Sequence, residues 1–251
     1  MSASLIDILV AIALVALVIA ASEVGYRIGA RRKSTPEERS QVGVLQASML
    51  GLLGLLLGLA FSNATSRFIQ RQNLVVQEGN AMGTFFLRAD LLSLEHRDAI
   101  QRSLRQHADA RIELFREKEP EKAAPITARI DEINDRLWQL AVVGVRERPE
   151  VMMGVLPPLN ELIDQSAVRS SLSKRHLPGL VVMVLVASAM LSMACMGYGS
   201  GLVKRHPQSI LWALATLIAM VLWITFDLDY PRHGMIRLSE QPLLDARESM
   251  R

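Results

Sequence analysis

The sequence predicts an all-α protein: a four-helix transmembrane bundle with a helical extramembrane extension between spans 2 and 3. Three observations carry this. Four long apolar runs, at 8–21, 42–61, 177–203 and 210–226, stand apart from an otherwise well-charged chain. The 62–176 stretch repeats its apolar residues at helical spacing. No stretch shows the strict apolar–polar alternation of a half-buried strand. About 20 apolar residues cross a hydrocarbon core of about 30 Å as a helix. In lipid only helices and closed barrels satisfy their backbone polar groups, and runs this long are not barrel strands.

The first run opens at Ser4-x-x-Asp7, the pattern of a capping box, which gives Asp7 a local role at the helix start. A cleaved signal peptide is the competing reading. Such a peptide needs a basic leader, and MSASLID has no Lys or Arg; the basic cluster Arg27, Arg31, Arg32, Lys33 follows the run instead.

The second run is predicted to continue as a helix well past the membrane, because no Pro occurs between Pro36 and Pro120. From Ala47 to Ala89 such a helix is on the order of 65 Å long at about 1.5 Å per residue. Gly79, Asn80 and Gly83 are the places where it could kink or stop. Two faces differ. Steps of four and three from Ala47 give Gly51, Gly54, Gly58, Phe61, Thr65, Phe68, Gln72, Val75, Gly79, Met82, Phe86 and Ala89, which stays nearly apolar across the membrane boundary. The opposite face runs Leu52, Leu56, Leu59, then Asn63, Ser66, Gln70, Asn73. A face touching solvent must match lipid first and water next, so this second face is expected outside. The Gly/Phe stripe (Gly51, Gly54, Gly58, Phe61, Thr65, Phe68) is expected to face protein or a pore axis. Gly54-x-x-x-Gly58 permits close helix approach. Phe61 and Phe68 could form an apolar constriction in a ring of subunits. An amide-lined ion path through Asn63, Ser66 and Gln70 is the less economical reading, since solvation alone explains that switch.

In the extramembrane segment Ile100, Leu104, Ala108, Ile112 and Phe115 predict one helix. Ile126, Ile130, Ile133, Leu137 and Leu140 predict a second, with Pro125 in its first turn. Pro157-Pro158 is expected to start a third, and Pro178-Gly179 to turn the chain into span 3. The implied organisation is 1–61 for spans 1 and 2 with a basic connecting loop at 23–41, 62–176 for the extension, 177–226 for spans 3 and 4, and 227–251 for a C-terminal tail.

Charge at the membrane edge is the second candidate site. FDLDYPRHG places Asp227 and Asp229 at the end of span 4, where carboxylates oppose the helix dipole and need compensation. Arg67 and Arg71 lie just beyond span 2 on the same side. One expectation is that Asp227 or Asp229 pairs with Arg67, Arg71 or Arg232 and ties span 4 to span 2. The others are plain solvation before Pro231, or an ion-attracting role at a pore mouth.

Several classes are excluded. No catalytic, metal or cofactor constellation occurs, and the five His are scattered. The lone Cys195 allows no intramolecular disulfide. A net charge of +3 with no concentrated basic face gives no footing for nucleic acid. CMGYGSG, at 195–201, is superficially like a potassium filter, but it ends a continuous span, so small-residue packing is the better account. Basic residues flank both sides of the membrane, so charge bias does not set orientation.

LLGLLLGLAFSNATSRFIQRQNLVVQEGNAMGTFFLRADLL, the following LRQHADARIELF and the closing FDLDYPRHGMIRLSEQPLLD resemble the bestrophin-like domain family, as does the layout of two spans, a helical middle and two spans. The resemblance implies kinship with bestrophins, pentameric anion channels whose second transmembrane helices surround an apolar neck; Phe61 and Phe68 are then the neck-like positions. It also implies cytosolic termini, with Arg31, Arg32 and Lys33 outside. The expectation is a multi-pass protein of the cell membrane in contact with lipid, a homo-oligomer (a pentamer by resemblance), passing inorganic ions, anions foremost, along helix 2. The alternative is a non-conducting scaffold or regulator acting through its extramembrane helices.

Overall fold

The computed structural model describes residues 3–173, 177–205, 207–230 and 234–251. Among them are eight α-helices and no strand: α1 Ala3–Ala30, α2 Pro36–Arg88, α3 Leu94–Arg116, α4 Pro120–Glu147, α5 Met152–Ser173, α6 Gly179–Leu202, α7 Gln208–Asp229 and α8 Gln241–Ser249. Four helices, α1, α2, α6 and α7, are long and apolar enough to cross a membrane.

The first connection is far shorter than the expected 23–41 loop. α1 continues to Ala30 and α2 starts at Pro36, so Arg27 and Arg39 lie on helices. The start of α2 is chemically determined. Thr35 Oγ1 accepts from Glu38 N–H at 3.3 Å while Glu38 Oε2 accepts from Thr35 N–H at 3.2 Å, a reciprocal capping box with Pro36 in the first turn. The Ser4 side chain of the other expected cap lies outside the described residues. α2 runs 53 residues without interruption through Gly79, Asn80 and Gly83.

The chain divides into two compact units, 1–68 with 176–237, and 69–175 with 238–251. In the first, α1, α6 and α7 pack with the membrane half of α2 around Leu14, Val18, Leu53, Leu57, Leu185, Met193 and Leu222. The closest crossing is α1 on α6. A Cβ at Gly25 or Gly197 would collide with the backbone carbonyl oxygen of Ala194 or Ser22 respectively, and Gly29 and Gly201 are equally confined. Both helices thus present Gly-x-x-x-Gly pairs that let backbones touch. Gly197 and Gly201 of CMGYGSG serve this packing, while Gly199 abuts the Gln46 side chain of α2.

In the second unit, the later half of α2 packs with α3, α4, α5 and α8. Ile100, Leu104, Ala108 and Ile112 of α3, and Ile126, Ile130, Ile133 and Leu137 of α4, are buried as their spacing predicts. Two boundaries differ. α4 starts at Pro120, so Pro125 lies inside it, and α5 starts at Met152, so Pro157 and Pro158 lie inside it as well. Residues from Leu238 onward are part of this unit: Leu243 of α8 and Met250, just past its end, are completely buried, and Pro242 O lies close enough to Gly79 to exclude any side chain there.

Candidate functional site

The membrane-edge charges form a built cluster in the first unit. Asp229, at the last turn of α7, is 1% exposed. Its Oδ1 accepts from Arg67 Nε at 3.1 Å and its Oδ2 from Leu177 N–H at 2.7 Å. This contact joins the last turn of α7 to α2 through Asp229 and Arg67. Asp227, 6% exposed, does something different. Its Oδ1 accepts from Met235 N–H at 2.9 Å and its Oδ2 from Ile236 N–H at 2.7 Å, so it folds the chain after α7 back onto the helix end. Gly234 is required for this turn: a Cβ there would stand 2.5 Å from Asp227 Oδ1. Both carboxylates are therefore held by donors rather than solvated, which removes their conflict with the helix dipole. Arg71 is buried and belongs to the second unit; Arg232 lies outside the described residues.

The Gly/Phe stripe divides. At Gly51, Gly54 and Gly58 a built Cβ meets nothing within 4 Å. Phe61 is 40% exposed, while Thr65 and Phe68 are half-buried. The membrane half of the stripe thus has no packing partner among the described residues at its three glycines. Further along, Val75, Gly79, Met82, Phe86 and Ala89 of the same stripe are core in the second unit. In the membrane half the buried line lies one residue earlier, at Leu53, Leu57, Ala60 and Ala64. On the opposite face, Leu52, Leu59, Asn63, Ser66, Gln70 and Asn73 are exposed, while Leu56 is half-buried against the core of the first unit.

A second charged cluster, not read from the sequence, sits inside the second unit. Glu78 of α2 is buried and accepts from Arg111 of α3, Nε to Oε1 at 2.6 Å and Nη2 to Oε2 at 3.4 Å, and also pairs with Arg169 of α5. His107 of α3 is wholly buried, with Nε2 4.0 Å from Glu78 Oε1. Burial first, and then the neighbouring Arg111 charge, push the His107 pKa down to about 3, so the ring is neutral. Asn134 of α4 is placed to oppose that shift, yet neither ring nitrogen nor Asn134 Oδ1 makes a well-formed hydrogen bond; burial decides the direction. Burial also lowers Arg111 to about 10, opposed by Asp131, which leaves it charged at neutral pH. One signal in the sequence points here. Glu78 is the single acidic residue between Glu38 and Asp90.

Among the described residues no group of three His, Cys, Asp or Glu is arranged to hold a metal ion.

Comparison with known proteins fits this picture. No curated protein matches the chain. Among solved structures, a variant of a bacterial bestrophin homologue from Klebsiella pneumoniae superposes with a TM-score of 0.67 at 15% identity, covering 95% of this chain and 97% of that one. A second variant of the Klebsiella pneumoniae homologue gives 0.67 at 15% identity over 97% of each chain. Another structure of the homologue, phased on zinc, gives 0.66 at 16% identity over 97% and 96%. At these identities the likeness establishes the fold, which is shared over nearly the whole of both chains. The bestrophin-like domain itself matches residues 10–243. With four membrane-length apolar helices and that match over most of its length, the chain is an integral membrane protein belonging to the bestrophin-like domain family.

Proposed function

We propose that the protein is a homo-oligomeric ion channel with the membrane half of α2 around its axis, selective for anions. Family membership and fold support a membrane-channel kind of role. The observation that carries the finer reading is the open face of α2. Gly51, Gly54 and Gly58 meet nothing within 4 Å among the described residues, while Leu53 and Leu57, each one residue before a glycine, are buried. A glycine face saves no space in lipid; it gains something only where another backbone, or a narrow passage, comes close. Copies of α2 around a shared axis supply both. Phe61 then projects an apolar ring at the point where the Leu-rich sequence ends, and Phe68 repeats it two turns on. A pentamer and a preference for anions are the forms this takes by family kinship.

Reconstitution tests the reading. The protein in liposomes is expected to carry chloride flux, and Phe61→Ala to raise the unit conductance by widening the ring. Native mass spectrometry in mild detergent is expected to give one closed oligomer. A monomer, or liposomes silent across salts and pH, would sink the proposal and leave the non-conducting scaffold.

A further inference from the structure

At the membrane edge of the first unit, a cavity of about 370 Å³ is lined by Asp7 of α1, by Trp223, Phe226, Asp227 and Asp229 of α7, and by Tyr230. Its carboxylates are not equivalent. Asp227 spends both oxygens on Met235 and Ile236 N–H, and Asp229 spends its own on Arg67 and Leu177 N–H. Asp7 Oδ2, in contrast, is inaccessible and has no hydrogen-bond partner. A carboxylate left so is costly, and a cation beside it offsets the cost.

The cavity walls select the kind of cation. A divalent metal needs several oxygen ligands at once, and the described residues offer no such group. Three aromatic side chains and one uncompensated carboxylate are instead the chemistry that holds an organic ammonium, whose diffuse charge gains from π faces and whose methyl or methylene groups fill apolar space. The volume falls in the usual range for a small-molecule site. We infer that this cavity binds an alkylammonium group, with Asp7 as counter-ion and Trp223, Phe226 and Tyr230 as its wall. Such a group arrives either on a phospholipid headgroup, since the cavity lies at the ends of two spans, or on a free amine. The inference does not depend on whether the protein conducts.

The test uses the full-length protein in nanodiscs of phosphatidylglycerol, which carries no ammonium. Tetramethylammonium chloride is titrated against sodium chloride at equal ionic strength, with intrinsic Trp fluorescence as the readout. A saturable change is expected, and Trp223→Phe should remove it, which assigns the signal. Asp7→Asn is expected to weaken binding at least ten-fold without lowering the unfolding temperature, because it removes the carboxylate charge at a half-buried position whose Oδ2 has no hydrogen-bond partner to lose. Tyr230→Leu, at a half-exposed position, should weaken binding as well. Nanodiscs of phosphatidylethanolamine separate the sources. If the lipid supplies the group, they raise the unfolding temperature of the wild type but not of Asp7→Asn, and blunt the titration. If they do neither while tetramethylammonium still saturates, the source is a free amine. The inference is overturned by a titration without saturation, by wild-type affinity in Asp7→Asn, or by a saturable response to calcium with none to tetramethylammonium.

Discussion

Single charged side chains set the local structure of this protein more than their number suggests. Asp229 is almost completely buried, so its pair with Arg67 is not a surface ion pair of negligible worth. Arg67 remains about a quarter exposed, 26%, which tempers the value. Asp229→Asn is expected to destabilise the folded protein by roughly 1–3 kcal/mol, read by thermal unfolding in detergent. Asp229→Arg should cost more, and adding Arg67→Asp should restore part of the loss; restoration is partial because Leu177 N–H also needs the Asp229 acceptor. His107 gives a pH prediction. Its folded pKa of about 3 lies below the ordinary 6.5, so below pH 6.5 the unfolded chain takes up a proton that the native state refuses. Stability from this group is fully present above about pH 6.5 and falls as pH drops towards 3, by up to one proton's worth of slope. His107→Leu, in the same buried volume, is expected to flatten the loss of melting temperature between pH 7 and pH 5. An unchanged slope would contradict the assignment of this pH dependence to His107.

At the scale of elements, the two glycine motifs behave oppositely. Gly25, Gly29, Gly197 and Gly201 lie in the α1–α6 crossing, where an added methyl meets backbone atoms that cannot step aside. Gly197→Ala is therefore expected to cost about 1–3 kcal/mol or more of unfolding stability. Gly58→Ala meets nothing within 4 Å among the described residues and should leave protomer stability unchanged or slightly raised, since Ala is the better helix former. Paired melting curves of the two variants in detergent check this. A loss at Gly58 that appears only in the oligomer, measured by native mass spectrometry, would locate its contact between copies. α2 carries a further lesson. Its true buried line runs Leu53, Leu57, Ala60, Ala64, then Arg71, Val75, Glu78 and Met82. A search for an unbroken apolar stripe rejects this line because it contains charges. Those charges are inside, and Glu78 is held there by arginines on neighbouring helices, so burial followed pairing rather than hydropathy.

At the scale of the molecule, each of the two units has its own core, and α2 contributes to both. The C-terminal segment belongs to the second. Leu243 and Met250 are fully buried, Arg247 pairs with Asp109 at 2.6 Å, and Arg116 pairs with Glu240 at 2.9 Å. The two ion pairs are exposed and weak; the buried side chains carry the attachment. Truncation after Arg237 is expected to expose that core and make residues 69–175 the first site of limited proteolysis, with the four membrane helices still protected. Equal protease resistance in the truncated and intact proteins would contradict the role assigned to α8.

The sequence by itself determined the four membrane helices and the buried faces of α3 and α4, because length, hydropathy and 3.6-residue spacing are local properties; that α2 runs on through Gly79, Asn80 and Gly83 was decided by the structure. It also brought Arg67, Asp227 and Asp229 under suspicion, since a carboxylate at a helix end must find a donor somewhere. Only the tertiary structure decided which donor. Asp229 took an arginine and Asp227 took two backbone N–H groups, an outcome set by how the chain turns at Gly234. Likewise, Gly54-x-x-x-Gly58 and Gly197-x-x-x-Gly201 read the same in one dimension. Which of them meets a neighbouring helix is fixed by long-range packing, and among the described residues that packing uses the second and leaves the first open.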